Sequence, residues 1–205
     1  MQKGVLFVIS GPSGVGKGTV AKALLESGGG RMVFSVSATT RAPREGEVHG
    51  REYFFVSEEE FDRMIAAGEF LEYMKVFGRN NYGTPRKYVE EQLSLGNDVL
   101  LDIDVNGAMK VKENCPDAVL LMLAPPTMRE LRRRLENRGT ETQDVIERRL
   151  AEAKSELSRM AKYDFVVVND DLSEAIEAAK GILKASKCRP SYCADFIDRL
   201  IEEDF

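Results

Sequence analysis

Ser10-Gly11-Pro12-Ser13-Gly14-Val15-Gly16-Lys17-Gly18-Thr19 is the stretch whose residue types and spacing could do chemistry on a polyphosphate. Its glycines let the backbone curl until consecutive N–H groups point inward at an anion. A helix opening at the end of the run adds the partial positive charge of its N-terminus. Lys17 adds an ammonium for the β- and γ-phosphate oxygens. One position departs from the strict phosphate-loop pattern: Gly18 stands where that pattern has Ser or Thr. Thr19 is the nearest hydroxyl for a nucleotide-borne Mg²⁺, directly or through water. Residues Gly11 through Thr19 are therefore the expected NTP-binding loop. Alone they leave ATPase, GTPase, kinase and transporter readings open.

A second candidate is Asp98-Val99-Leu100-Leu101-Asp102-Ile103-Asp104, an apolar run ending in two carboxylates. Open α/β sheets gather ligands at the carboxyl ends of their strands. Asp102 is thus expected near the metal, as the strand-end Asp of phosphate-loop proteins is.

Both stretches need a sheet to hold them. The apolar runs Val5–Ile9, Asp98–Ile103, Ala118–Leu123 and Phe165–Val168 read as strands buried on both faces. Helical periodicity covers about 17–28, 86–95, 106–114, 127–138, 142–162 and 171–187. Such alternation predicts an α/β fold, a parallel sheet flanked by helices. Two segments interrupt it. Within about 35–85, β-like pieces (Glu52–Val56 and Glu69–Phe77) surround one short helix near 58–67, as an insertion outside the sheet would. After Pro125-Pro126 comes an arginine-rich helical flap. The predicted division is a core of 1–36, 86–124 and 151–190, a small α+β insertion at 37–85, a lid at 125–150 and a helical tail at 191–205. The tail's stripe of Phe196, Ile197, Leu200 and Ile201 is expected to pack on the body.

Composition narrows the function. The 205 residues are 43% hydrophobic and 31% charged, which excludes a fibrous or mostly disordered chain. A net charge of −5 speaks against purely electrostatic nucleic-acid binding, so local positive charge has to hold any anionic ligand. Cys115, Cys188 and Cys193 are too few, and odd in number, for a disulfide framework. No apolar run approaches the roughly 20 residues that span a bilayer. The expectation is a cytoplasmic protein with neither nucleic acid nor membrane as partner.

Several separated motifs carry a family resemblance. They are the loop Gly11–Thr19, Phe34-Ser35-Val36-Ser37-Ala38-Thr39-Thr40-Arg41-Ala42-Pro43-Arg44-Glu45-Gly46-Glu47, Gly50-Arg51-Glu52-Tyr53-Phe54-Phe55, Phe70-Leu71-Glu72-Tyr73, Asn81-Tyr82-Gly83-Thr84, Leu101-Asp102-Ile103-Asp104, Arg138-Gly139-Thr140-Glu141-Thr142 and Val168-Asn169-Asp170-Asp171-Leu172. Over roughly 4–186 the chain resembles the guanylate kinases of the nucleoside monophosphate kinase group. The resemblance implies a core, an inserted GMP-binding domain and a mobile lid, with ATP, GMP and Mg²⁺ as ligands. It implies that Glu72 and Asp104 accept from guanine N1–H and the 2-amino group, and that Ser37 and Thr84 face O6. Family members often have Ser at the position of Thr84, and Thr keeps the hydroxyl. It implies a GMP-phosphate cage of Arg41, Arg44, Tyr53 and Tyr82, and an ATP-adenine contact at Asn169. It singles out Arg138 and Arg149, from seven arginines within 129–149, as the lid residues that close over the γ-phosphate, and makes Lys17, Arg41, Arg138 and Arg149 the catalytic set. Arg148 adjoins Arg149, and helix phase must choose between them. Two alternatives stand: a monophosphate kinase with another acceptor, and the non-catalytic guanylate-kinase-like binding modules of membrane-associated scaffolds. The intact Gly16-Lys17 speaks against the second.

Overall fold

A computed structural model describes residues 3–27, 31–76, 80–137 and 142–203. In chain order its elements are β1 (Leu6–Ser10), α1 (Lys17–Ser27), β2 (Met32–Phe34), β3 (Ser37–Thr39), β4 (Tyr53–Phe55), α2 (Glu58–Ala66), β5 (Phe70–Val76), β6 (Asn80–Pro85), α3 (Arg86–Ser94), β7 (Asp98–Asp102), α4 (Val105–Asn114), β8 (Val119–Ala124), α5 (Met128–Glu136), α6 (Gln143–Leu157), β9 (Phe165–Val168), α7 (Leu172–Ser186) and α8 (Ala194–Glu202).

Five strands form one sheet in the order β2-β7-β1-β8-β9, with every pair parallel. Their near-continuous apolar runs follow from helices on both faces. Alternate residues of β1 and β8 face opposite ways. Phe7, Ile9, Leu121 and Leu123 join Val20, Leu24 and Ala179 of α1 and α7. Leu6, Val8, Leu120 and Met122 join Val89, Leu93, Ala108 and Val111 of α3 and α4. The eight strand residues are at most 1% exposed. Full burial of such a side chain contributes about 1.5–3 kcal/mol, so this double layer holds β1 and β8 firmly between the helices.

β2 was not expected from the sequence. It is three residues long, lies at the sheet edge, and pairs Met32 with Asp98. The second sheet runs β4-β3-β6-β5. Its β3–β4 pair is parallel, whereas β3–β6 and β5–β6 are antiparallel. β4, β5 and α2 match the expected pieces, but β3 and β6 were not foreseen as strands. Phe61 of α2 stacks on Phe70 at 4.5 Å and is fully buried, which seats the helix on this sheet. The Ser57 hydroxyl caps α2 by accepting from Glu60 N.

α5 and α6 pair through Leu131, Leu135, Ile146, Leu150 and Ala153. α6 stops at Leu157, short of the predicted 162, and a 3₁₀ turn over Met160–Lys162 leads into β9. The tail corrects an expectation: its apolar stripe does not pack on the body. Phe196, Leu200 and Ile201 are 56%, 58% and 76% exposed. The anchor is Tyr192, buried, whose hydroxyl donates to Asp117 O at 3.0 Å. Periodicity identifies an apolar face but not what covers it. No described helix is long and apolar enough to cross a membrane.

Candidate active site

The loop between β1 and α1 is shaped by backbone that only glycine accepts. Gly11, Gly14 and Gly16 have φ of 147°, 89° and 98°. A Cβ on Gly11 would meet Leu123 O at 2.3 Å, and one on Gly16 would meet Asn169 Nδ2 at 2.6 Å. Gly18 differs, because a Cβ there would meet nothing within 4 Å. Lys17 opens α1, and its Nζ donates to the carbonyls of Gly11 and Pro12, at 2.5 and 3.1 Å. The ammonium thus lies folded over the loop it is expected to serve. Thr19 is exposed on α1, two residues on.

Three contacts brace this loop. The Asn169 side chain is buried and donates to Val15 O at 2.8 Å. Arg134 of α5 donates to Asn169 O at 2.9 Å. Arg149 Nη1 donates to Ser13 Oγ. Helix phase therefore distinguishes Arg149, half-buried at the loop, from exposed Arg148. Arg132 and Arg133 are held by Glu147 and Glu130 on the solvent face. Arg138 lies outside the described residues.

Beyond the end of β7 lies a cavity of about 410 Å³ between the two sheets. Ser37, Tyr53, Glu72, Tyr82 and Asp104 line it, as does Asp102. Register explains the grouping. Ser37 pairs with Tyr53, Thr39 with Tyr82, and Glu72 with Thr84. Glu72 is 6% exposed. Burial pushes its carboxyl above the usual range, and the Asp104 charge adds to this. The Thr84 hydroxyl and Lys110 pull the other way. Thr84 does not line the cavity; fully buried, it donates to Glu72 Oε1 at 2.6 Å. Asp104 caps α4, its Oδ1 accepting from Gly107 N at 2.8 Å. Burial also raises the Asp102 carboxyl, and Lys17 partly offsets this.

Arg41 sits at the margin. Its Nη2 is gripped by both oxygens of Glu47, at 2.9 and 3.0 Å, and its guanidinium lies 5.4 Å over the Tyr53 ring. The Glu47 hydrogen bond raises its pKa further. Arg44 is exposed, and its backbone N–H donates to the same Glu47 at 2.7 Å. Neither Arg41 nor Arg44 lines the cavity.

Three residues near the site had no assigned role in the sequence. Glu47 orients Arg41, and the turn signal at Gly46 (φ 84°) was the available hint. Arg51 lines the cavity while paired with Glu52 at 2.6 Å. Ser35 lines it with a buried hydroxyl that has no partner among the described residues. A buried orphan of this kind suits a polar ligand atom.

The profile of the guanylate kinase family matches residues 3–186. A guanylate kinase of Caldanaerobacter subterraneus subsp. tengcongensis is 49% identical over 98% of this chain and 97% of its own. One from Symbiobacterium thermophilum is 54% identical over 91% and 88%. The crystal structure of guanylate kinase from Anaplasma phagocytophilum superposes with a TM-score of 0.66 at 42% identity, covering 90% of this chain and 86% of that one. With a phosphate loop on one side of Asp102 and a two-carboxylate cavity on the other, and with relatives of this likeness along nearly its whole length, the chain belongs to the guanylate kinase family.

Proposed function

We propose that the chain transfers the γ-phosphoryl group of ATP to GMP, giving ADP and GDP. One observation carries the assignment of sites: Glu72 and Asp104 share a cavity whose wall includes Asp102, the strand end that feels the charge of Lys17. Acceptor and donor sites so adjoin at one strand end.

At the acceptor site, Glu72 and Asp104 take the two donor groups of guanine, and Ser37 donates to O6. Thr84 holds Glu72 in place. Adenine would set an acceptor against Glu72 and leave a buried carboxylate unmatched, a loss of about 1–3 kcal/mol or more. Arg41 and Arg44, with the phenols of Tyr53 and Tyr82, hold the GMP phosphate. At the donor site, Gly11, Pro12, Ser13, Gly14, Val15, Gly16 and Gly18 supply backbone, and Lys17 leaves the carbonyls of Gly11 and Pro12 for phosphate oxygens. Asn169 serves ATP by bracing the loop through Val15. Arg149 and Arg138 close on the γ-phosphate and favour its redistributed charge.

Asp102 and Thr19 are the groups that would hold Mg²⁺, directly or through water. Among the described residues no three of His, Cys, Asp and Glu converge as a metal cage. Two oxygen donors suit an ion that keeps most of its waters and takes phosphate oxygens from its nucleotide. An ion held there would supply positive charge against the nucleotide's phosphates. The GMP phosphate is itself an anionic nucleophile, so the chain needs no general base. Its work is positioning and exclusion of water as insertion and lid close. The compartment is the cytoplasm, consistent with three free cysteines.

An assay with ATP, Mg²⁺ and, separately, GMP, AMP, CMP and dTMP tests the reading. Turnover with GMP far above the other three is expected. Preference for another acceptor would overturn it.

A further inference from the structure

β5 is the edge strand of the second sheet, so one row of its backbone groups has no strand partner. Helix α4 of the core supplies partners at two of them. Lys110 Nζ donates to Tyr73 O at 3.0 Å and lies 4.7 Å over the Tyr73 ring. One turn on, Asn114 Nδ2 donates to Leu71 O at 2.8 Å. These two carbonyls flank Glu72. The same helix begins at Asp104, the other carboxylate of the cavity. Between them Gly107 turns toward Glu72, where a Cβ would stand 3.3 Å from Oε2. Positions 104, 107, 110 and 114 are spaced by three, three and four, so they share one helical face.

We propose that Lys110 and Asn114 are positioning residues for base selection: they clamp the backbone on either side of Glu72 to the helix that carries Asp104, and so set the spacing of the two carboxylates. The inference rests on the reading of Glu72 and Asp104 as the guanine site. Neither Lys110 nor Asn114 touches GMP in that reading. They act through Glu72: Thr84 holds its Oε1 from the β6 side, and Lys110 and Asn114 hold the outer backbone of the same strand from the α4 side. The ammonium of Lys110 adds a second effect, since it opposes the burial and the Asp104 charge that disfavour an ionised Glu72.

The test is steady-state kinetics of Lys110→Met and Asn114→Ala, with Lys110→Arg as the conservative variant and Glu72→Gln as the control for the site. Each of the first two should raise KM for GMP about fivefold to twentyfold, the scale of one lost hydrogen bond that orients a charged group. Each should lower the ratio of kcat/KM for GMP over AMP, while KM for ATP and kcat stay within about twofold. Lys110→Arg should recover most of the loss, because it keeps both donor and charge. A merely structural role would move KM for both nucleotides and kcat together, and that result overturns the proposal. So does an unchanged KM for GMP and unchanged selectivity in Lys110→Met, an exposed position where substitution is compatible with folding, while Glu72→Gln loses GMP. If Glu72→Gln itself leaves GMP untouched, the guanine-site reading fails first and takes this inference with it.

Discussion

At the phosphate loop, the groups poised for a ligand belong to one continuous run, Ser10 to Thr19, and are mostly backbone. At the cavity beside Glu72 they are side chains from four strands and the cap of a helix. The loop's path is set by its own backbone, with φ of 147°, 89° and 98° at Gly11, Gly14 and Gly16. The cavity is shaped by register, through Ser37 opposite Tyr53 and Glu72 opposite Thr84. A local device tolerates little change of residue type but survives small shifts of its surroundings. A register-built device tolerates conservative side chains but depends on distant clamps. The two regions should therefore fail differently when altered.

The largest expected effect is at the loop. Lys17→Ala should lower kcat by about 10³-fold or more, the scale of removing a charged group from a phosphoryl-transfer site. GMP binding, measured by calorimetric titration, should be nearly unchanged. A parallel loss of GMP affinity in a folded variant would erase the distinction between the two regions.

Next comes the lid. Under the proposed role of its guanidinium at the γ-phosphate, Arg149→Ala should lower kcat by about 10²–10³-fold and move KM for GMP much less. Arg138→Ala should behave alike. Arg132→Ala is the control, since Glu147 holds that side chain on the solvent face. Comparable losses in all three would mean that the segment acts as a diffuse positive surface.

Glu72→Gln should weaken GMP by about 1.5–3 kcal/mol and leave ATP alone, since a charged hydrogen bond is lost. Its pH behaviour sharpens the case. Burial raises the Glu72 carboxyl, so it takes up a proton earlier than an exposed glutamate as the pH falls. The acceptor form is the carboxylate; GMP affinity of the parent should therefore fall on the acid side, and Glu72→Gln should lack that limb. Stability runs the opposite way. The charged form is penalised in the fold above the raised pKa, and the penalty fades as pH falls through it. Glu72→Gln should thus melt above the parent at about pH 8, with the gap closing on acidification. An equal Tm at both pH values would remove the claim that burial dominates this carboxylate.

What could be read in the sequence follows the same division. The loop, β7 and its terminal Asp102 announce themselves locally, through glycine spacing and an unbroken apolar run. β2 and β3 are three residues long and leave no periodic trace. The Thr84–Glu72 hydrogen bond needs the β5–β6 register, which no local pattern encodes. Resemblance supplied Glu72 and Thr84; it did not supply the direction of their bond. The tail misled for a related reason, because an amphipathic stripe describes one partner of a contact and not the other.

The smallest expected effect lies at the loop's one departure from pattern. Gly18 sits in the first turn of α1, and a Cβ there would meet nothing within 4 Å. Replacement by Ser removes a helix-disfavoured glycine, worth about 0.5 kcal/mol of stability. It also places a hydroxyl where strict phosphate loops have one. Gly18→Ser should raise Tm slightly, leave kcat within about twofold, and lower the Mg²⁺ concentration needed for half-maximal rate. Paired with Thr19→Ala it becomes a sharper probe. If Thr19 serves the metal here, Thr19→Ala should raise the Mg²⁺ requirement in the parent and lose that effect in the Gly18→Ser background. A Thr19→Ala effect that is the same in both backgrounds would mean that Thr19 acts on α1 alone, and the metal role would pass to Asp102.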